Sequence, residues 1–399
     1  MRTSRILAIA LLGLAIASSA FGQSAPPAAG SKLTIGLVLV GPYNDRGWSQ
    51  ANYDGLQYVK AKVPGVDFIY IDKANSADRP GTTVSQLAES LVSQGAKMII
   101  FSSDDMMDEA NKFAQEHPEI FVVMTTGDQS WKEGKAYKNL PNMINIMGKM
   151  EYMKMVAGVA AALTTKTGKI GFLGPLINDE TRRLAASAYL GARYAWTSYL
   201  KKDPAKLEFK VTWIGFWFNI PGVTSDPTQV ADDFFNSGYD VVISGIDTTE
   251  AVAEAAKFTA QGKKVWAIPY DYAKAIDEGK GVSLGVPFFN WGPAYAKAAK
   301  DAMAGTWKAR FEWNGPDWKN INNPDTSAVG FNKGTLSKEA SAAVDRFVAE
   351  LAKGLNLWAG PLNLQDGSAY LKKGEKASDQ QIWYLPQLLQ GMQGQSVSK

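Results

Sequence analysis

Short apolar runs alternate with amphipathic stretches of helical period along most of the chain, the pattern of strands separated by crossover helices. Runs at residues 34–40, 66–72, 98–102 and 121–125 predict strands, and the intervening segments predict helices at about 47–62, 81–94 and 107–116. Continuously apolar strands such as Met98-Ile-Ile-Phe101 fit a parallel sheet covered on both faces. A long helix at 151–164 opens a second series, with strands at 169–173, 208–214, 241–244 and 265–268 and helices at 181–200, 227–237 and 249–261. The strand at 282–286 and the helix after Pro293 are expected to return to the first series. The remainder, rich in Trp, Asn, Gly and Pro with one helix at 337–353, is assigned mainly to the second.

The two series repeat one unit. Ile35 and Ile170, 135 positions apart, each begin an apolar strand that leads through a polar loop into a helix carrying Gly and Tyr (Gly55 and Tyr58; Gly191 and Tyr194). The register continues downstream, where helices ending at Gly95 and Gly238 lead into strands at 97–101 and 240–244. The fold class that follows is α/β, with two doubly wound, Rossmann-like parallel-sheet lobes joined by a hinge. Lobe 1 is expected to span 32–147 with about 274–305, and lobe 2 to span 148–273 with about 306–399. Loops leaving the carboxyl ends of parallel strands converge on one edge, so two facing lobes make a cleft with loop residues on both walls. Such a cleft suits a receptor that closes on a small molecule.

Composition narrows the class. Residues 1–22 carry Arg2 and Arg5, an apolar run at 6–17 and small residues ending at Gly22, which reads as a secretory signal peptide cleaved near Gly22. The Ala-, Pro-, Gly- and Ser-rich segment 23–31 reads as a tether. Cysteine is absent, which excludes disulfides, thiolate metal sites, a cysteine nucleophile and a lipidated cysteine anchor. A free, monomeric periplasmic protein with no membrane anchor is expected. Lys and Arg number 42 and Asp and Glu 39, a net of +3 that falls to +1 without the two leader arginines, so nothing favours nucleic acid or anionic lipid as partner.

Enzymatic patterns fail on inspection. Gly281-Val-Ser-Leu-Gly285 matches G-x-S-x-G, but Ser283 runs on into a strand, and the lone histidine, His117, precedes it, against the serine, acid, histidine order of that fold. His117 before Pro118 fits a helix end better than a metal ligand, because one histidine without cysteine cannot build a nitrogen or sulfur site. No Gly-Lys pair precedes Ser or Thr, so there is no P-loop. Asp104, Asp105, Asp108 and Glu109 fit the amino end of a helix rather than a catalytic pair. No cofactor is expected, and an exported hydrolase is the weakest of the readings.

Several stretches carry a family resemblance: Gly41-Pro-Tyr-Asn-Asp-Arg-Gly-Trp48, residues 156–171 (Val-Ala-Gly-Val-Ala-Ala-Ala-Leu-Thr-Thr-Lys-Thr-Gly-Lys-Ile-Gly), Phe289-Asn-Trp-Gly-Pro293, Gly305-Thr-Trp307 and residues 358–367. Across nearly the whole mature chain the sequence resembles the basic membrane protein family of ABC-transporter substrate-binding proteins, the purine and purine-nucleoside receptors of the type I periplasmic binding fold. The resemblance implies capture of a purine-like ligand between the lobes and its delivery to an inner-membrane ABC permease and its ATPase. It places Asn44, Asp45 and Trp48 against the ligand from the first lobe and Trp217 from the second. Two indoles on opposite lobes could sandwich a flat ring, each stack contributing on the order of 1 to 3 kcal/mol. The alternative for Trp48 is core packing at a helix start. Arg183 and Asp247 align with family residues at strand ends, although Asp247 could equally cap the following helix. Ser102, Ser103 and Thr126 are strand-end hydroxyls within reach of a ligand.

Departures from the family pattern touch ligand choice. The ribose-binding turn, with two acids in many relatives, reads Pro269-Tyr270-Asp271-Tyr272-Ala273 and keeps only Asp271. Phe289, followed by Asn290 and Trp291, stands where nucleoside-binding relatives have a lysine. Both losses point to a less hydroxylated ligand, such as a free nucleobase. A sugar or other polar metabolite on the same fold is the alternative, since indole faces also pack against a pyranose.

Overall fold

The computed structural model describes residues 32–279 and 281–397; the leader at 1–22 and the tether at 23–31 lie outside them. The first lobe begins with β1 (Leu33–Val38), α1 (Trp48–Lys62), β2 (Val66–Ile71), α2 (Val84–Ser93), β3 (Met98–Phe101), α3 (Met107–Glu116), β4 (Phe121–Thr125) and β5 (Met143–Gly148). The second follows with α4 (Met150–Thr164), β6 (Lys169–Gly174), α5 (Asp179–Tyr194), β7 (Glu208–Trp213), α6 (Pro227–Asn236), β8 (Val241–Ser244), α7 (Glu250–Ala260) and β9 (Trp266–Ile268). Then come β10 (Gly285–Phe289), α8 (Gly292–Met303), β11 (Arg310–Asn314), β12 (Val329–Lys333) and α9 (Lys338–Ala352). The chain closes with β13 (Leu362–Asn363), β14 (Ala369–Leu371), α10 (Asp379–Trp383) and β15 (Met392–Gln393). None of the described helices is long and apolar enough to cross a membrane.

Two parallel sheets result, in the orders β11-β5-β4-β3-β1-β2 and β15-β7-β6-β8-β9. Strand order therefore reverses between β1 and β3 in the first sheet and between β6 and β8 in the second, the two places where a doubly wound sheet opens a binding crevice. Core strands are apolar on both faces: Ile35, Leu37, Ile99, Ile100, Val122 and Val123 have no exposed surface. This is the burial that helices on either side of a parallel sheet impose.

The central helix α4 is buried nearly all round and packs against α5 at backbone distance. A Cβ added to Gly158 would sit 1.9 Å from the Ala188 carbonyl oxygen, and one added to Gly191 would sit 2.0 Å from that of Met155. The glycine of the repeated unit is thus a packing requirement, and the close approach sets the middle of α4 against the second half of α5.

Two placements differ from the sequence reading. Residues 310–314, expected in the second lobe, form β11 and pair with β5 on the edge of the first sheet. Their alternation, Arg-Phe-Glu-Trp-Asn, suits a half-solvated edge and gives no apolar run. The strand expected at 282–286 runs instead from Gly285 to Phe289 and pairs antiparallel with β12; bridges from Ser283 to Ala267 and from Phe288 to Asp271 tie this segment to the end of the second sheet. The helix after it does pack on the first lobe, where the Tyr295 hydroxyl meets Asn52 of α1 and lies 2.8 Å from Thr125 Oγ1. The chain passes between lobes after β5, between β9 and α8, and between β11 and β12; at the first crossing Lys149 N donates to the Asn314 carbonyl at 2.7 Å.

Candidate ligand-binding site

The loops at both reversal points meet in one cavity enclosing about 450 Å³, its mouth included. The first lobe supplies Trp48 after β1, Ser103 and Asp104 after β3 and Thr126 after β4. The second supplies Phe172 on β6, Pro175, Glu180, Thr181 and Leu184 after it, Trp217 after β7, Gly245 and Asp247 after β8 and Tyr270 after β9, with Lys154 from α4. Each wall is a set of strand ends, so the site exists only where the lobes face one another.

Closure brings backbone against backbone. A Cβ on Gly47, at the start of α1, would lie 1.6 Å from the carbonyl oxygen of Asp247 on the opposite lobe. No side chain fits there, which makes Gly47 a condition of this approach. The two indoles flank it. The Trp48 N–H donates to the Ser102 carbonyl, and its ring meets Phe289 and Trp291 edge-on at 5.2 and 5.3 Å. Trp217 lines the same cavity, its carbonyl accepts the Asp247 N–H at 2.9 Å, and its buried indole N–H has no partner among the described residues.

Charge is concentrated around the cavity floor. Lys154 is fully buried, donates to the Ser244 carbonyl at 2.7 Å and sits 3.1 Å from the centre of the Tyr270 ring. Burial pulls its ammonium down to about 7, against the opposing pull of Asp271 and Glu180. Burial likewise pushes Glu180 up to about 7, with Arg183 opposing, and Asp104 up to about 6. Asp247 and Asp271 are both raised well above the ordinary carboxylate range, by burial first; Lys154 opposes the shift at Asp271, and Asp271 reinforces the one at Asp247. Neither oxygen of the Asp271 carboxylate, nor the Tyr270 hydroxyl, has a hydrogen-bond partner among the described residues. Thr126 and Asp271 also hold left-handed backbone, with φ of 89° and 69°. A β-branched residue rarely adopts such a φ, and strain of this kind, on the order of 1 to 3 kcal/mol, collects at ligand sites.

Of the residues singled out by sequence, Trp48, Ser103, Thr126, Trp217, Asp247 and Tyr270 line the cavity. Ser102 lies behind Trp48 with its hydroxyl unpartnered among the described residues, and Asp271 follows Tyr270 with no exposed surface. Arg183 borders an adjoining compartment instead, with its Nε 2.7 Å from Glu151 Oε1. Phe289, Asn290 and Trp291 border a separate surface pocket beyond Trp48, and the Asn290 amide is committed to the Pro324 and Ser327 carbonyls at 3.0 and 2.7 Å. Asn44 is exposed, and the Asp45 carboxylate accepts the backbone N–H groups of Gly47, Ser49 and Gln50 at 2.8 to 2.9 Å. Neither borders the cavity: Asp45 anchors the first turn of α1 and so positions Trp48, while burial pushes its carboxyl up to about 6.

The sequence reading missed Lys154, Phe172, Pro175, Glu180, Thr181, Leu184 and Gly245 as site residues, and it gave Asp104, which also lines the cavity, only a place at a helix end. One signal was available, since Lys154 is a lone cation within the otherwise apolar 153–163 stretch of α4.

Comparison with known proteins identifies the family and the fold. The family described as Bmp, ABC transporter substrate-binding protein PnrA-like, matches residues 32–333. A purine-binding protein of Brucella abortus (strain 2308) is 26% identical over 352 residues, covering 88% of this chain and 90% of its own. Among solved structures, an ABC transporter solute-binding protein from Aeropyrum pernix K1 superimposes with a TM-score of 0.62 at 13% identity, over 83% of this chain and 93% of the other. One from Conexibacter woesei DSM 14684 gives 0.58 at 15% identity, over 81% and 97%. At such identities the structural likeness fixes the fold, that of two-lobed periplasmic solute-binding proteins. The family match spans most of the chain, and the chain belongs to the PnrA-like (Bmp) family of ABC transporter substrate-binding proteins.

Proposed function

We propose that this protein is the periplasmic receptor of an ABC importer, that it captures a purine base or nucleoside in the interlobe cavity, and that it hands the closed complex to an inner-membrane permease. The observation that carries the reading is the convergence of Trp48 and Trp217, from opposite lobes, on one cavity whose floor offers unpaired polar groups. A purine has two flat faces for the indoles and an edge of alternating donors and acceptors for the floor. Asp247 and the Tyr270 hydroxyl accept from ring or amino N–H groups, and Lys154 donates to a ring nitrogen or carbonyl. The purine-binding relative from Brucella supports the same ligand class.

The cycle needs no covalent step. A ligand that touches both walls only when the lobes are together favours closure by its differential affinity for the two forms. The protein acts as a monomer, exported with its leader removed near Gly22. Titration calorimetry against adenine, guanine, hypoxanthine, adenosine and a panel of sugars tests the reading. Tight, enthalpically detectable binding of at least one purine is expected, and purine silence with a response to a sugar refutes it.

A further inference from the structure

Beside the aromatic cavity lies a second compartment of about 740 Å³, mouth included, which shares Asp104 and Glu180 with it. The start of α5 forms one wall. Another is Trp383 and Tyr384, from a C-terminal region that lies beyond the family match at residue 333. Most charged groups here are already matched. Asp128 takes the Tyr384 hydroxyl; Asp104 takes the Asn178 amide at 3.2 Å and the Thr126 hydroxyl at 3.4 Å. Arg182 pairs with Asp179 and donates to the Leu385 carbonyl at 2.7 Å.

Two groups remain. Arg183, 1% exposed, spends its Nε on Glu151 and lays its guanidinium 4.1 Å from the Trp383 ring centre, yet its Nη2 has no partner among the described residues. Glu180, 8% exposed, makes no side-chain hydrogen bond among them either. The two are three residues apart on α5, hence on one face of the helix. The compartment thus presents one free acceptor beside one free donor. Apolar matter would leave both unpaired, and a phosphate would meet the carboxylates of Asp104, Asp128 and Asp179 as well as Glu180.

We propose that this compartment is a second subsite, which holds a hydroxylated, uncharged substituent of the ring ligand, with one hydroxyl of a vicinal diol donating to Glu180 and its neighbour accepting from Arg183. The inference rests on the purine reading of the adjoining cavity and makes a nucleoside the preferred ligand. It also moves the sugar away from the position expected from the family pattern, where Phe289 stacks on Trp291 and both pack against Trp48.

Calorimetry on the wild-type protein with adenine, adenosine, 2′,3′-dideoxyadenosine and adenosine monophosphate tests it. Adenosine should bind at least about tenfold tighter than the dideoxy analogue, the ratio expected for hydrogen bonds to charged groups, and the monophosphate more weakly than adenosine. Because Glu180 also borders the aromatic cavity, Glu180→Gln is read by the adenosine to dideoxyadenosine ratio alone, which should shrink to near unity. Normal adenine binding with equal affinities for adenosine and its dideoxy analogue overturns the subsite alone. Silence toward all four, and toward guanine, hypoxanthine and their nucleosides, overturns the purine reading and the subsite with it. The wild-type ratio is decisive even if the variant does not fold.

Discussion

Gly47→Ala tests whether the lobes bind ligand by closing to the distance seen here. The new Cβ would start 1.6 Å from the Asp247 carbonyl oxygen, and reaching 3.0 Å requires a retreat of 1.4 Å (3.0 minus 1.6). That oxygen belongs to backbone, and the Asp247 N–H is bonded to the Trp217 carbonyl, so the obstacle cannot swing aside and Trp217 retreats with it. A gap of about 0.5 to 1 Å already forfeits a quarter to a half of a dispersion contact. With base stacking on the order of 1 to 3 kcal/mol per aromatic wall, the expected loss is about 1 to 3 kcal/mol of binding, or about 5- to 150-fold in affinity. Each lobe should fold as before, because the clash lies across the cleft and separating the lobes relieves it. The apo unfolding midpoint should move by only about 1 to 2 °C, as for a small change at a helix start. Calorimetry and apo thermal unfolding measure the two effects separately. Unchanged affinity would refute the reasoning, as would a loss of affinity that merely tracks a large loss of stability.

Other substitutions separate packing from binding. Trp217→Ala should weaken purine binding at least about tenfold with a small change in apo stability, whereas Trp48→Ala should lower both, since Trp48 also bonds the Ser102 carbonyl and packs on Phe289 and Trp291; wild-type affinity in either variant would remove that indole from the site. Stability should depend on pH through Glu180. Its folded carboxyl titrates near 7 rather than at 4.5, so between these values the native state holds the extra proton and stability falls as pH rises. Glu180→Gln should flatten that fall in urea unfolding series from pH 4.5 to 7, and an unaltered slope would contradict the assignment. Lys154, lowered from 10.5 to about 7, adds stability only as pH rises above 7 and does not confuse the window. Amino-terminal sequencing of protein recovered from the periplasm should begin near Gln23, and recovery of the full-length chain from the cytoplasm would contradict export.

Much of the architecture was legible because a parallel sheet writes itself as apolar runs: Met98–Phe101, Phe121–Thr125 and Val241–Ser244 are wholly or almost wholly buried strands, and the sequence shows them directly. The repeated unit announced two lobes for the same reason. Strands with mixed composition were lost. β5 was not among the expected strands; its polar Asn145 breaks the apolar run, and that side chain serves the Ser130 N–H and the Thr126 carbonyl inside the core. β11 alternates charge with aromatic residues and joins its sheet only through a long-range parallel pairing with β5.

The candidate site was legible where it depends on strand ends, as at Trp48, Ser103, Thr126, Trp217, Asp247 and Tyr270. It was not legible where helices reach into it. Lys154 enters the site from within α4 and Glu180 from the first turn of α5, placements set by how these helices pack rather than by either segment alone. Asp45 shows the converse: a loop carboxylate suited to a ligand is consumed by three backbone N–H groups at the start of α1.

The most direct measurement is a crystal structure of the protein with its tightest-binding purine. The account predicts the ring lying flat between Trp48 and Trp217, with its edge toward Asp247, Tyr270 and Lys154. A purine seated elsewhere, or a closed cleft in which the two indoles do not face the same ligand, would contradict it.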